Sequence, residues 1–376
     1  MAVWEDWNQK AAAAPWTVGI EEEVMLLSPT SWLPVSRCED VLACLPEDVA
    51  DCARAETHGS ALELATTPHD TVAGAVAELA ALRRALADTL ETLEVRAAVA
   101  GTHPTARWEH IEVSPGARYQ YVHASMRELA RREPTFGLHV HVAVPGPEQA
   151  LRALNALRSR LPLLLALSGN SPFWQGRDSG LASARTPAFQ VFPRTGPPRR
   201  FRDYAEYVEA IDVLLRSDAI PEPTFLWWDA RLQPAFGTLE VRIMDAQTRV
   251  EDTAAIAALV QCLVRTEAEA GDDPPEVLSE NRFIAARDGM ASKLMVAPHW
   301  HRRPIADILD DVLDACAPAA RELDCVAELG HVPALAALPG ATRQREMAER
   351  AGSLEGLVEA LSDDFAREAA ESSLAA

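Results

Sequence analysis

"VGIEEEVMLL", residues 18–27, has the apolar content of a buried strand yet carries Glu21, Glu22 and Glu23 at its centre. Side chains alternate across a strand, so Glu21 and Glu23 share one face while Glu22 points the other way with Val18, Ile20, Val24 and Leu26. Burying an unpaired carboxylate is costly, and three in a row require water, partner charges or a metal ion. Glu22, on the apolar side, is expected near the strand's edge beside a basic partner.

Three further segments repeat the pattern. "ALELAT" (61–66) sets Glu63 opposite Leu62 and Leu64; "LHVHV" sets His139 and His141 side by side opposite Val140 and Val142; "TLEVRIMD" sets Glu240 beside Arg242, opposite Leu239, Val241 and Ile243. The outer face of an ordinary antiparallel sheet is polar too, but these faces carry Glu and His with almost no Lys. Two carboxylates about 4 Å apart repel by ~4 kcal/mol at an effective dielectric of 20, so a packed acidic cluster calls for divalent cations. Oxygen ligands with an occasional imidazole point to Mg²⁺ or Mn²⁺ rather than zinc. Arg177, Arg185, Arg194, Arg231 and Arg242 lie in or beside a long loop and the late strands, and guanidinium forks suit phosphate and carboxylate oxygens. Cations and arginines on one face suit a polyphosphate and an acidic substrate. No G-x-x-x-x-G-K-[ST] loop occurs, which excludes a Walker-type nucleotide site.

Around these segments, helical spacing of apolar residues predicts a long amphipathic helix over 71–93, and further helices over 117–132, 147–168 and 251–270. "VRAAVAGTHP", "TFGLHVHVAVPG", "TFLWWDARL" and "GTLEVRIMDA" read as strands. "SGNSPFWQGRDSGLASARTPAFQVFPRTGPP" is a long Gly, Pro, Ser and Arg-rich loop whose aromatics argue for a binding wall rather than disorder. Strands and helices lack regular βαβ alternation, so the fold class is α+β: a mainly antiparallel sheet with helices packed on one face and the other free for a site.

The 376 residues are 48% hydrophobic with a formal charge of −21, which fits a folded chain with a sizeable core and disfavours nucleic acid or anionic membrane as partners. No apolar run approaches the ~18 residues of a membrane span. "MAVWEDWNQK" has no signal-peptide character, so a cytoplasmic location is expected. The six cysteines form no C-x-x-C pair, which argues against a disulfide framework or structural zinc and for small buried hydrophobes.

Taken in order, "TVGIEEEVMLL", "LELATTP", "FGLHVHVAVP", "LSGNSPFWQGRDSGLASAR", "FPRTGPP" and "WWDARLQPAFGTLEVRIMDAQT" are similar to the glutamate-cysteine ligase type 2 family of bacterial carboxylate–amine ligases, with "ENRFIAARDGM" and "GATRQR" as fainter matches. The resemblance spans nearly the whole chain. It implies a single domain over 1–376, mostly helical from about residue 251. Its core would be a curved, glutamine-synthetase-like sheet of about six strands. It implies a reaction in which ATP, with Mg²⁺ or Mn²⁺, phosphorylates a carboxylate, typically the γ-carboxylate of glutamate, before an amine displaces the phosphate. Carried over by residue, Glu21, Glu23, Glu56, Glu63 and Glu240 would be metal ligands. His139 would sit near the metals and nucleotide phosphates, and with His141, Arg177, Arg194 and Arg231 would make up the cofactor-binding set. Arg242 would contact the substrate carboxylate or the transferring phosphate, and Arg185, like Arg177, would help close the site, making Glu240, Arg242 and Arg185 the catalytic set. The implied partners are small molecules, glutamate or another carboxylate and an amine, and a homodimer is compatible with such an enzyme. "LPGATRQREM" matches only part of the family pattern, so no site residue is assigned there.

Two other readings compete. A metal-dependent amide hydrolase could use His139, His141 and the carboxylates to activate water, but it leaves the arginine-rich loop without a task. A non-catalytic sensor would have no need of so many charged groups on one sheet face. Dependence of turnover on ATP separates the ligase from the hydrolase.

Overall fold

The computed structural model describes residues 4–131, 134–266 and 273–371. Its main sheet contains β1 (Val18–Leu27), β2 (Ala53–Ala55), β3 (Ala61–Ala65), β4 (Arg96–Ala98), β5 (Gly137–Ala143), β6 (Ala230–Gln233) and β7 (Thr238–Asp245). The strand order is β6-β7-β5-β1-β3-β2, with β4 pairing the end of β1, and every pairing is antiparallel. The α+β class is as expected, with seven strands in place of about six. Register then does what alternation alone cannot: it sets Glu21 opposite His139, Glu240 opposite His141 and Arg231, and Glu63 opposite both Glu23 and Arg54. Residues directly opposite share a face, so all the polar faces merge into one.

The other face is apolar. Ile20, Val24, Leu64, Val140 and Val241 are fully buried on it. Against this side of the sheet pack α1 (Val72–Thr92), α2 (Pro147–Leu157), α3 (Leu161–Ser168), α4 (Val250–Thr266) and α5 (Leu354–Glu371). α1 starts where the Thr71 hydroxyl accepts the Gly74 N–H at 3.2 Å, satisfying one of the free donors of its first turn. α4 is buried almost all round, which fits its "AAIAALVQCLV" run.

Glu22 corrects the expectation of an edge position. It is fully buried within the apolar layer, and Arg83 of α1, equally buried, grips it through Nε (2.7 Å) and Nη2 (2.5 Å). The other Arg83 N–H groups go to the carbonyls of Gln247 (2.8 Å) and Thr248 (3.0 Å) and to Glu368 of α5 (3.3 Å). The basic partner therefore exists, and a bidentate pair with its donors satisfied makes the burial tolerable. Glu22→Gln leaves a buried guanidinium without its main counter-charge and is expected to cost about 3–5 kcal/mol of stability, read from denaturant unfolding. An unfolding midpoint equal to the parent's contradicts this.

Local departures have plain causes. The helix expected over 147–168 breaks into α2 and α3 at a 3-10 turn, Arg158–Arg160, just before Pro162. The helix over 117–132 runs as Ala117–Met126 and then a 3-10 turn to Arg131, and residue 132 lies outside the described residues. Likewise 251–270 is α4 as far as Thr266, with 267–270 outside them. "TFLWWDARL" splits into a 3-10 turn, a two-residue strand pairing with Thr195–Gly196, and β6. "VRAAVAGTHP" keeps only β4 as a strand. Beyond α4 the described elements are helices apart from one hairpin, Lys293–Val296 with His301–Pro304. All six thiols are free; Cys38, Cys262, Cys316 and Cys325 are buried, Cys52 is half-buried and Cys44 exposed. Among the described residues no helix is long and apolar enough to cross a membrane.

Candidate active site

A cleft of about 410 Å³ lies over the polar face, with Glu21, Glu23, Glu63, His139, His141 and Glu240 as its floor. Nδ1 of His139 stands 3.2 Å from Glu21, and its Nε2 stands 3.9 Å from Glu23. Nε2 of His141 is 3.3 Å from Glu21 and 4.0 Å from Glu240, while its Nδ1 is held by the Thr238 hydroxyl at 2.9 Å. Neither Nε2 has a hydrogen-bond partner, although both are buried. Two clusters have donor atoms mutually within 4.8 Å: Glu21, His139 and Glu240, and Glu23, Glu63 and His139.

Electrostatics divide the floor into two kinds of carboxylate. Burial alone would raise Glu21 and Glu240, but the His141 and His139 imidazoles hold Glu21 below its ordinary value, and the Arg231 and Arg242 guanidinium groups hold Glu240 well below it. Burial and the Glu56 charge push Glu23 up to about 7. Burial, with Glu21, Glu56 and Glu23 around it, raises Glu63 well above the carboxylate range, and burial raises Glu56. Burial and Arg242 pull His139 down to about 4; His141, which burial would lower, is raised by Glu21 and Glu240. Carboxylates that resist ionising together, beside buried imidazole nitrogens without a hydrogen bond, mark a face short of positive charge. This oxygen-rich donor set fits divalent cations.

The arginines sort differently from their expected roles. Arg242 bonds Glu240 through Nη1, which also lies 3.4 Å from His139 Nδ1. Arg231 spends its N–H groups on Glu240 (2.7 and 3.2 Å) and on the carbonyls of Thr224 (2.8 Å) and Leu226 (2.7 Å), so it holds Glu240 in place. Arg185 is buried beside Gly137, donates to the carbonyls of Ile243 and Arg242 at 3.3 Å, and leaves Nε without a partner. The Gly137 N–H binds Glu23 at 2.7 Å, and a Cβ on this residue would lie 2.9 Å from His139 Nε2 and against the Arg185 guanidinium, so a side chain there would displace both. Glu56 lines the cleft and accepts the Thr57 N–H at 3.0 Å. Arg177 is exposed on the small hairpin Phe173–Trp174 with Arg177–Asp178 and does not line the cleft. Arg194 does not line it either; it donates to Phe225 O (3.0 Å) and covers the ring of Trp227, which does.

Several lining residues escape sequence reasoning. Gln233 donates to Glu240 at 2.7 Å. Arg54 of β2 shares a face with Glu63 of β3, a placement its spacing from Glu56 could have signalled. Arg118 and Tyr119, on the helix Ala117–Met126, belong to no motif. The long loop is fastened by buried Asp245, which accepts from the Asn170 N–H (2.9 Å), Ser171 (2.6 Å) and Ser183 (2.8 Å). Gln344, in the segment left without a site assignment, binds Asn170 Oδ1 at 2.8 Å, and Arg282 of "ENRFIAARDGM" grips Asp229 at 2.7 and 3.0 Å.

Comparison with known proteins agrees with this architecture. Residues 17–364 match the family model of glutamate-cysteine ligase family 2. Two proteins of Rubrobacter xylanophilus, both provisionally named glutamate–cysteine ligase 2, are 39% identical over 94% of this chain and 98% of theirs, and 36% identical over 91% and 93%. Among solved structures, the glutamate–cysteine ligase of Francisella tularensis in complex with AMP superposes with a TM-score of 0.70 at 15% identity, covering 98% of this chain and 94% of that one. A bifunctional glutathione synthetase from Pasteurella multocida gives 0.68 at 16% identity, covering 96% of this chain and 54% of the other. At these identities the two structures establish a shared fold.

Proposed function

The chain belongs to glutamate-cysteine ligase family 2, and from that premise we propose an ATP-dependent carbon–nitrogen ligase that joins a carboxylate to an amine through an acyl phosphate. The γ-carboxylate of glutamate is the proposed donor. The observation that carries this reading is the single sheet face on which two clusters of cation ligands adjoin Arg242 and Arg185. A hydrolase has no use for that arginine pair.

Glu21, His139 and Glu240, and Glu23 and Glu63 with Glu56 beside them, would hold Mg²⁺ or Mn²⁺, which when bound neutralises the charge of the nucleotide phosphates. Phosphoryl transfer depends on positioning and charge stabilisation more than on covalent chemistry by the protein. In this reading Arg242 faces the charge that develops as a donor carboxylate oxygen attacks the γ-phosphorus and ADP leaves. Arg185, wedged against Gly137, orients that carboxylate. Arg231 and Gln233 keep Glu240 fixed, while Phe189, Phe192 and Trp227 wall the cleft and shield the acyl phosphate from water. The amine then attacks the acyl carbon, and phosphate departs as the amide forms. The helices beyond Val250 belong to the same unit in this proposal, supported by the reach of Glu368 to Arg83.

Enzyme incubated with ATP, Mg²⁺, glutamate and hydroxylamine is expected to yield ADP, phosphate and the γ-hydroxamate. AMP with pyrophosphate rejects the acyl phosphate, and amide cleavage without ATP restores the hydrolase.

Metal loading should also depend on pH. Glu23, at about 7, and the raised Glu56 and Glu63 hold protons below their own pKa values, and a cation needs them ionised. Mg²⁺ affinity is therefore expected to rise as pH climbs through about 7, with protons released on binding. Calorimetry in buffers of different ionisation enthalpy reads that release. A flat affinity with no proton release contradicts it.

A further inference from the structure

Five arginines line the cleft, and four are already engaged. Arg231 and Arg242 are tied to Glu240, Arg185 to backbone carbonyls, and Arg118 to Glu222 while it covers the Phe225 ring. The fifth, Arg54, is exposed and has no hydrogen-bond or ion-pair partner among the described residues. It is no stray surface residue. β2 is the last strand of the sheet, and its register places Arg54 opposite Glu63, on the same face as the proposed cation ligands. The cleft thus offers one unoccupied guanidinium fork, at the end of the sheet remote from β6 and β7.

Resting on the ligase reading, we propose that Arg54 binds the second, non-reacting carboxylate of the donor and so sets the preference for a diacid over a monocarboxylic acid. Chemical type supports this, because a planar fork with free N–H groups matches a carboxylate in bidentate geometry. Distance supports it too. Four strand spacings separate Arg54 on β2 from Arg242 on β7, about 19 Å at about 4.8 Å per strand, and with both side chains lining one cleft a five-carbon diacid would lie between them. The reacting carboxylate would lie toward Arg242 and Arg185, and the second would point outward to β2. A monocarboxylic donor would leave the Arg54 fork empty.

The test uses the full chain in the hydroxylamine assay, with glutamate compared with 4-aminobutyrate, which keeps the amine and reacting carboxylate but lacks the second. The wild type is expected to prefer glutamate by roughly 10- to 100-fold in kcat/KM, the range of one charge-assisted contact. Arg54→Met should erase that preference by raising the glutamate KM, leaving 4-aminobutyrate and the KM for ATP unchanged. Arg54→Lys, which keeps the charge but not the fork, should recover part of it. A glutamate preference surviving in Arg54→Met, or an equal loss for both donors, overturns the assignment. ATP consumed with no hydroxamate from any carboxylic acid overturns the ligase reading instead, so the two failures are distinguishable.

Discussion

Hydroxamate formation is expected to fall to background when divalent cations are stripped with EDTA, and to return in full when Mg²⁺ or Mn²⁺ is added back. Six glutamates line the cleft against five arginines, four of which are committed within the protein. A triphosphate and a donor carboxylate entering such a space would meet uncompensated negative charge, at ~4 kcal/mol for each carboxylate pair about 4 Å apart and an effective dielectric of 20. Burial and mutual repulsion already raise Glu63 and Glu56. Arg54, the one lining arginine without a partner, is a single charge against a triphosphate, so the metal-free enzyme should neither bind ATP tightly nor transfer its phosphoryl group. Unfolding of the stripped enzyme, followed in parallel, shows whether the loss is catalytic. Full turnover by verified metal-free protein would remove the carboxylate clusters from the chemistry.

Glu240→Gln is expected to lower kcat by roughly 10³-fold, the scale seen when a fixed electrostatic contact to the transition state is removed. Glu240 is buried at 1% exposure and accepts from Arg231, Arg242 and Gln233, so one carboxylate both offers a cation ligand and aims two guanidinium groups. Glutamine keeps the size but loses the charge and turns one acceptor into a donor. Stability should fall as well, because Arg231 stays buried without its counter-charge. Glu22→Gln provides the control: it strips a comparable buried pair on the opposite face, and below its unfolding temperature it should keep kcat within a few-fold of wild type. Equal losses of kcat in both variants would mean that the effect travels through stability alone.

How much of this could be read from the chain differs residue by residue. Glu21, Glu23, Glu63, His139, His141, Glu240 and Arg242 were legible because strand alternation is local and needs only a period of two. Their convergence was not, since it depends on register between strands far apart in the chain. Arg231 shows a second limit. Its residue type suits phosphate, but whether its N–H groups remain free depends on Glu240 and two carbonyls that fold up around it. Arg177 stands in a motif-like segment yet points to solvent from a hairpin. The partner of Glu22 was foreseeable in kind but not in place: helical spacing puts Arg83 on the stripe of Leu79, Leu86 and Leu90, but it does not say that this stripe, 61 residues away, covers β1 at Glu22.

The buried grip of Arg83 on Glu22 and Glu368 also bears on how the chain comes to be folded. The first strand of the sheet and the last described helix are neutralised through a single guanidinium, 285 residues separating Arg83 from Glu368. During synthesis β1 and α1 therefore emerge long before β5, β7 and α5 exist, and Arg83 and Glu22 meet without the rest of their layer. Closing contacts of such long sequence separation is slow, and partly assembled sheets expose pairing edges that aggregate. Chains halted before residue 354 should accumulate as chaperone-bound or insoluble species rather than as a stable amino-terminal half, and ribosome-nascent-chain proteolysis should show protection of β1 appearing only after α5 has cleared the exit tunnel.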